Sequence, residues 1–112
     1  MESNIGEKIV ELLKPVISVS YIQAEVNTFP YCAYDIESQQ PIRSKHSILG
    51  YNADVSIYIV DRNETNAAIL KDRVIARLVR EGKFDFALQN ITATTENNHW
   101  AYRLEYNIKQ IF

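Results

Sequence analysis

The sequence predicts an α+β fold, a mainly antiparallel four-stranded sheet of order 1-2-4-3 with two helices on one face, in the chain order α-β-β-α-β-β. Three observations predict it. Tyr51–Asp61 and Trp100–Phe112 alternate side by side with period two over an unusual length. Two other stretches, one near the N-terminus and one after Asp61, carry apolar stripes at helical spacing. The second of these helices separates the second strand from the third, so a right-handed crossover leaves those two parallel with room for the last strand between them.

The central element is Tyr51–Asp61. Ala53, Val55, Ile57 and Ile59 fall on one side; Asn52, Asp54, Ser56, Tyr58 and Val60 fall on the other. At about 3.3 Å per residue it spans roughly 35 Å, longer than most strands. A strand that long belongs inside a sheet, because an exposed edge of that length invites aggregation. Trp100–Phe112 is its counterpart. Trp100, Tyr102, Leu104, Tyr106, Ile108 and Phe112 lie on one side; Arg103, Glu105, Asn107 and Lys109 lie on the other. These two strands are expected to be neighbours. The face bearing Tyr58, Arg103 and Glu105 is polar enough for water or a partner subunit.

The remaining elements follow in order. Ser3 is placed to cap a helix whose apolar residues are Ile5, Ile9, Leu12 and Leu13, and Pro15 ends it. Val16 to Val26 has poor periodicity and reads as a loop with room for one short strand. Tyr31 to Ile36 reads as the first strand of the sheet, entered through Phe29-Pro30. Glu37 to Ser47 is polar, contains Pro41 and reads as a long mobile loop. Asp61 and Glu64 form a capping-box pattern before the stripe Ala67, Leu70, Val74, Ile75 and Leu78, and Gly82 is the expected left-handed closing residue. Phe84 to Thr95 begins apolar and turns polar, as an edge strand does when it leaves the core. Glu96-Asn97-Asn98-His99 is a turn, since asparagine tolerates left-handed geometry.

Composition narrows the function. At 112 residues the chain is expected to form one domain, and its net charge of −2 gives none of the basic excess of a nucleic-acid binder. The N-terminal stretch lacks a basic region followed by an apolar run, so no signal peptide is expected. No apolar run approaches the roughly 20 residues that span a membrane. A lone cysteine, Cys32, allows no internal disulfide and reads as a core residue. The three glycines are isolated, so no phosphate loop is available. Cys32, His46 and His99 are not spaced as metal ligands. Asp35 and Asp54 would face each other across two strands, but solvation explains such a pair without catalysis. Trp100 and Tyr102 are not interleaved with basic residues as in sheet-based RNA binders, so they read as packing residues. No enzyme activity, metal or cofactor is expected.

Two groups of basic residues remain. Arg43, Lys45 and His46 cluster in the polar segment before the central strand. Arg73, Arg77 and Arg80 recur along the second helix. For the latter, a solvated helix face is the simpler reading; the alternative is a contact surface for an acidic partner or for DNA in a channel.

Taken together, Phe29-Pro30-Tyr31 leading to Tyr34-Asp35-Ile36, the polar segment, Tyr51 to Ile59, the Glu64 to Leu78 helix and Tyr102 to Ile108 resemble a family of small phage proteins. These are the tail terminators and tail-completion proteins that join tail to head. The resemblance spans nearly the whole chain and rests on a strand-rich scaffold, not on catalytic signatures. It implies a non-enzymatic virion protein, present in the host cytoplasm during assembly. It also implies a homo-oligomeric ring, commonly a hexamer, that stops polymerisation of the tail-tube protein and meets the head connector or a head-completion protein. On that reading Arg43, Lys45 and His46 contact a neighbouring subunit or line the ring. The competing reading is a small α+β module that binds a ligand or peptide in an apolar pocket between helices and sheet.

Overall fold

The two long alternating stretches pair with each other, and everything else is laid around them. The structure is a computed structural model that describes residues 5–21 and 29–112. In chain order the elements are α1 (Ile5–Leu13), β1 (Val19–Tyr21), β2 (Tyr31–Arg43), β3 (Ile48–Asp61), α2 (Glu64–Arg77), β4 (Phe84–Glu96) and β5 (His99–Ile111). The sheet order is β1-β2-β3-β5-β4. Its four antiparallel strands, β2-β3-β5-β4, run in the expected order 1-2-4-3. Val19–Tyr21 adds a short parallel strand outside β2, with Val19 opposite Cys32 and Tyr21 opposite Tyr34.

The core forms where the alternating faces of β3 and β5 meet the helices. Ala53, Val55, Ile57 and Ile59 from β3 and Leu104, Tyr106 and Ile108 from β5 are buried. Ile5, Ile9, Leu12 and Leu13 of α1 and Ala67, Leu70 and Val74 of α2 cover them. Each such aliphatic side chain contributes about 1.5–3 kcal/mol on full burial. The two helices are also joined directly: Arg77 Nε donates to the Leu12 carbonyl at 2.9 Å. That carbonyl is among the last of α1, which has no basic residue in its own final turn.

Several sequence expectations are corrected. Glu37 to Ser47 is not a long loop: β2 continues to Arg43, and the connection to β3 is a tight turn. Pairing against β3 supplies the ladder that this polar run lacks reason to form alone, and Pro41 is tolerated because β2 lies near the sheet edge. The cap of α2 is Asn63, not Asp61; Asn63 Oδ1 accepts from the Asn66 amide at 2.8 Å. Asp61 instead accepts from the Arg62 amide and the Asn66 side chain. Gly82 is left-handed, with φ 57, but it lies beyond the helix. It shapes the turn in which Glu81 and Phe84 exchange backbone hydrogen bonds at 2.8 and 2.9 Å. The capping role given to Ser3, and part of the Val16 to Val26 segment, lie outside the described residues.

The turn at Asn97-Asn98 forms as expected, both residues with positive φ and Glu96 paired to His99. β4 behaves as the expected edge strand: Phe84 and Phe86 are buried, whereas Leu88 and Ile91 are exposed. The outer antiparallel strands each contain a β-bulge, between Ile36 and Ser38 in β2 and between Leu88 and Asn90 in β4. No helix among the described residues is long and apolar enough to cross a membrane.

Two predictions follow from this packing. At Gly50 an added Cβ would lie 1.9 Å from the Gln110 carbonyl oxygen of the central pair. Gly50→Ala is therefore expected to cost about 2 kcal/mol or more, read as a lower urea midpoint. Conversely, among the described residues the Tyr106 hydroxyl is buried without a hydrogen-bond partner. Tyr106→Phe removes that uncompensated group and is expected to raise stability by about 1 kcal/mol in the same experiment.

Candidate functional site

One end of the sheet gathers most of the exposed basic side chains. The β2–β3 hairpin closes there through Ser44 and Ser47: the Ser44 amide donates to the Ser47 carbonyl at 2.9 Å, and the two hydroxyls lie 2.9 Å apart. This turn chemistry leaves Lys45 and His46 exposed at the tip, with Arg43 beside them. All three line an open cavity of about 540 Å³ that also touches Ile48 and Phe112. The structure thus brings Arg43, Lys45 and His46 together.

The arginine row is not one surface. Arg73 and Arg77 are a turn apart on α2, and Arg77 is committed to the carbonyl of Leu12. Arg80 lies past the helix and shares a second cavity, about 370 Å³, with Lys83, Lys109 and Ile111. The two cavities lie at the same end of the sheet. Ile111 pairs with Gly50, the Phe112 amide donates to the Leu49 carbonyl, and the Ile111 amide donates to the Lys83 carbonyl. The result is a basic end that also exposes Ile48, Leu49 and Ile111. Lys83, Lys109 and the three aliphatic residues were not singled out from sequence. Their signal was only that each sits near a strand terminus, which acquires meaning once the sheet order is known.

The face of the sheet away from the helices is a polar network. The bulge in β2 places Glu37 on this face, beside Ser38. Ser56, fully buried, donates its hydroxyl to Glu37 Oε1. Arg103 donates from Nε to the Ser56 hydroxyl and from Nη2 to Glu37 Oε1, each at 3.1 Å. Arg103 also meets Glu105 at 3.3 Å, and Asn90 Nδ2 donates to Glu105 Oε2 at 3.0 Å. Four strands are thereby tied across one line. A second line joins Ser38, Asp54, Asn107 and Asn52. Asp35 and Asp54 do not face each other, because Asp35 is opposite Ser56 while Asp54 is opposite Ser38.

This network ties side chains of neighbouring strands together. The Ser56 hydroxyl and then the Arg103 guanidinium hold the Glu37 carboxyl below its ordinary value, so it stays ionised and acts as an acceptor. The Glu37 contact in turn raises Arg103, which is in any case permanently charged. Burial pushes the Cys32 thiol up to about 12, the opposite of what a nucleophile requires. Trp100 and Tyr102 are half-buried on the helix side, where Lys71 lies 5.0 Å from the Tyr102 ring centre.

No protein-family model and no curated protein matches this chain. Among solved structures, a chain described as the virion of a native gene transfer agent particle superposes with a TM-score of 0.66. The match covers 98% of this chain and 87% of that one at 12% sequence identity. At that identity the likeness shows a common fold.

The Glu37 contacts set an acid dependence. A carboxyl lowered in the folded state stabilises fully above its unfolded value, near 4.3, and loses its contribution as pH falls through the folded value. The pair is about two-fifths exposed, so solvent screening keeps the effect small. Glu37→Gln is expected to lower the urea midpoint modestly at pH 7. The gap from the parent protein should narrow as the pH falls below the ordinary carboxylate range.

Proposed function

We propose that this chain is a structural protein of a phage-like virion: a ring subunit at the end of a tail tube that stops its polymerisation and joins it to the head connector. The observation that carries the proposal is the shared fold, nearly end to end, with a chain described as part of a gene transfer agent virion. It accords with the independent resemblance of the strand and helix segments to tail-completion proteins.

The surface chemistry supports an assembly role. A closed ring needs heterologous contacts, so each subunit must present two different patches. The molecule is elongated, 52 × 25 × 23 Å, and one end combines Arg43, Lys45 and His46 with the exposed aliphatic residues Ile48, Leu49 and Ile111. Charged groups set around an apolar patch suit contact with another protein better than solvation alone. In this proposal the hairpin tip contacts the neighbouring subunit or lines the ring, and the role requires no cofactor.

Particle assembly tests it. Changing Arg43 and Lys45 together to serine is expected to reduce joining of tails to heads, counted as infectious or gene-transferring particles, while circular dichroism stays unchanged. Normal joining by that variant would remove the role of the tip. Negative-stain images of the protein on purified tail tubes, with no ring at either tube end, would remove the larger proposal.

A further inference from the structure

The outer edge of β4 is the longest unfinished part of the fold. Among the described residues β4 pairs only with β5, so its other side offers a run of backbone donors and acceptors to no strand. Natural sheets blunt such edges with lysine, proline or a covering segment. At the other margin of the sheet β2 has both devices, Pro41 and the short strand β1. Between Asp85 and Glu96, β4 has no charged residue and no proline.

The side chains on this edge are equally unfinished. Leu88 and Ile91 are 36% and 43% exposed, and they flank the bulge. Both face the helix side, since Leu88 is opposite Tyr106 and Ile91 is opposite Leu104, two buried core residues. The bulge shifts the alternation by one. Helix-side positions are therefore Phe84, Phe86 and Leu88 before it, and Ile91, Ala93 and Thr95 after it.

That shift makes the strand self-complementary. When two copies of β4 run antiparallel about a two-fold axis perpendicular to the sheet, the register that sets Leu88 opposite Ile91 of the second copy keeps every helix-side residue opposite a helix-side residue. Phe86 then meets Ala93, Phe84 meets Thr95, and Ala87 meets Thr92 on the polar side. The same register brings position 83, a lysine, level with position 96, a glutamate. Without the bulge, the faces would not match in this register.

We propose that a second copy of this chain docks along β4, antiparallel and two-fold, giving one continuous sheet with five strands from each copy. Each exposed Leu88 is covered by Ile91 of the other copy, and the open ladder is closed. The contact is isologous and ends at two copies. It uses a surface separate from the hairpin tip and does not rest on the ring proposal.

Sedimentation equilibrium across a concentration series tests the association. A monomer–dimer equilibrium is expected, and Ile91→Lys should weaken it by about tenfold or more, because the interface would have to bury an unpaired charge. Circular dichroism checks that the variant is folded, and the serine changes at Arg43 and Lys45 should leave the equilibrium unmoved. The register is tested in a Cys32→Ser background by mixing a Leu88→Cys protein with an Ile91→Cys protein under mild oxidation. The mixture is expected to form an intermolecular disulfide between positions 88 and 91, while each protein alone forms little. A monomer at every concentration would overturn the proposal. So would a dimer indifferent to Ile91→Lys, or cross-linking no greater in the mixture than in the separate proteins.

Discussion

The ladder between β3 and β5 is the constraint on which the rest of the structure depends. It runs without a bulge from Gly50 opposite Ile111 to Asp61 opposite Trp100. Both strands bury one face, so a slip of one residue would turn either Ile57 and Ile59 or Leu104 and Ile108 out of the core. Such a pair has one workable register. Close approach at Gly50 sharpens it, because the Gln110 carbonyl occupies the space a side chain would need. With that register set, the helices have one apolar surface to cover and the outer strands have one ladder to extend.

The ladder between β3 and β5 has no register shift, and the irregularities fall in the flanking pairings, β2 with β3 and β4 with β5. The bulge in β2 aims Glu37 at Ser56 and Arg103, and the bulge in β4 changes which residues of the edge face the helices. The polar face is thus stitched by side chains while the helix face is held by packing. Arg77 shows the same economy of placement: a residue on α2 completes the C-terminal hydrogen bonding of α1.

What could be read from the sequence was what a local period encodes. The alternation in Tyr51–Asp61 and Trp100–Phe112, and the stripes of both helices, specify a buried face from the chain alone. The continuation of β2 through Gln39, Gln40 and Pro41 could not be read that way, because its strand conformation is imposed by Asn52, Ala53 and Tyr51 opposite. Capping by Asn63 rather than Asp61 turned on a shift of two residues, within the usual uncertainty of a helix start. The basic tip was partly legible, since Arg43, Lys45 and His46 are adjacent in sequence. Its neighbours Lys83, Lys109 and Ile111 come from other strands and join it only through the sheet order.

The length of the strands has a mechanical consequence. Four strands of 13 or 14 residues lie nearly side by side along a body 52 Å long. A load applied along the strand axis pulls on the rungs of the central ladder in shear, so many hydrogen bonds must yield at once. A load applied across the sheet peels the rungs one after another and meets far less resistance. The molecule is therefore a stiff strut in one direction and a zipper in the other.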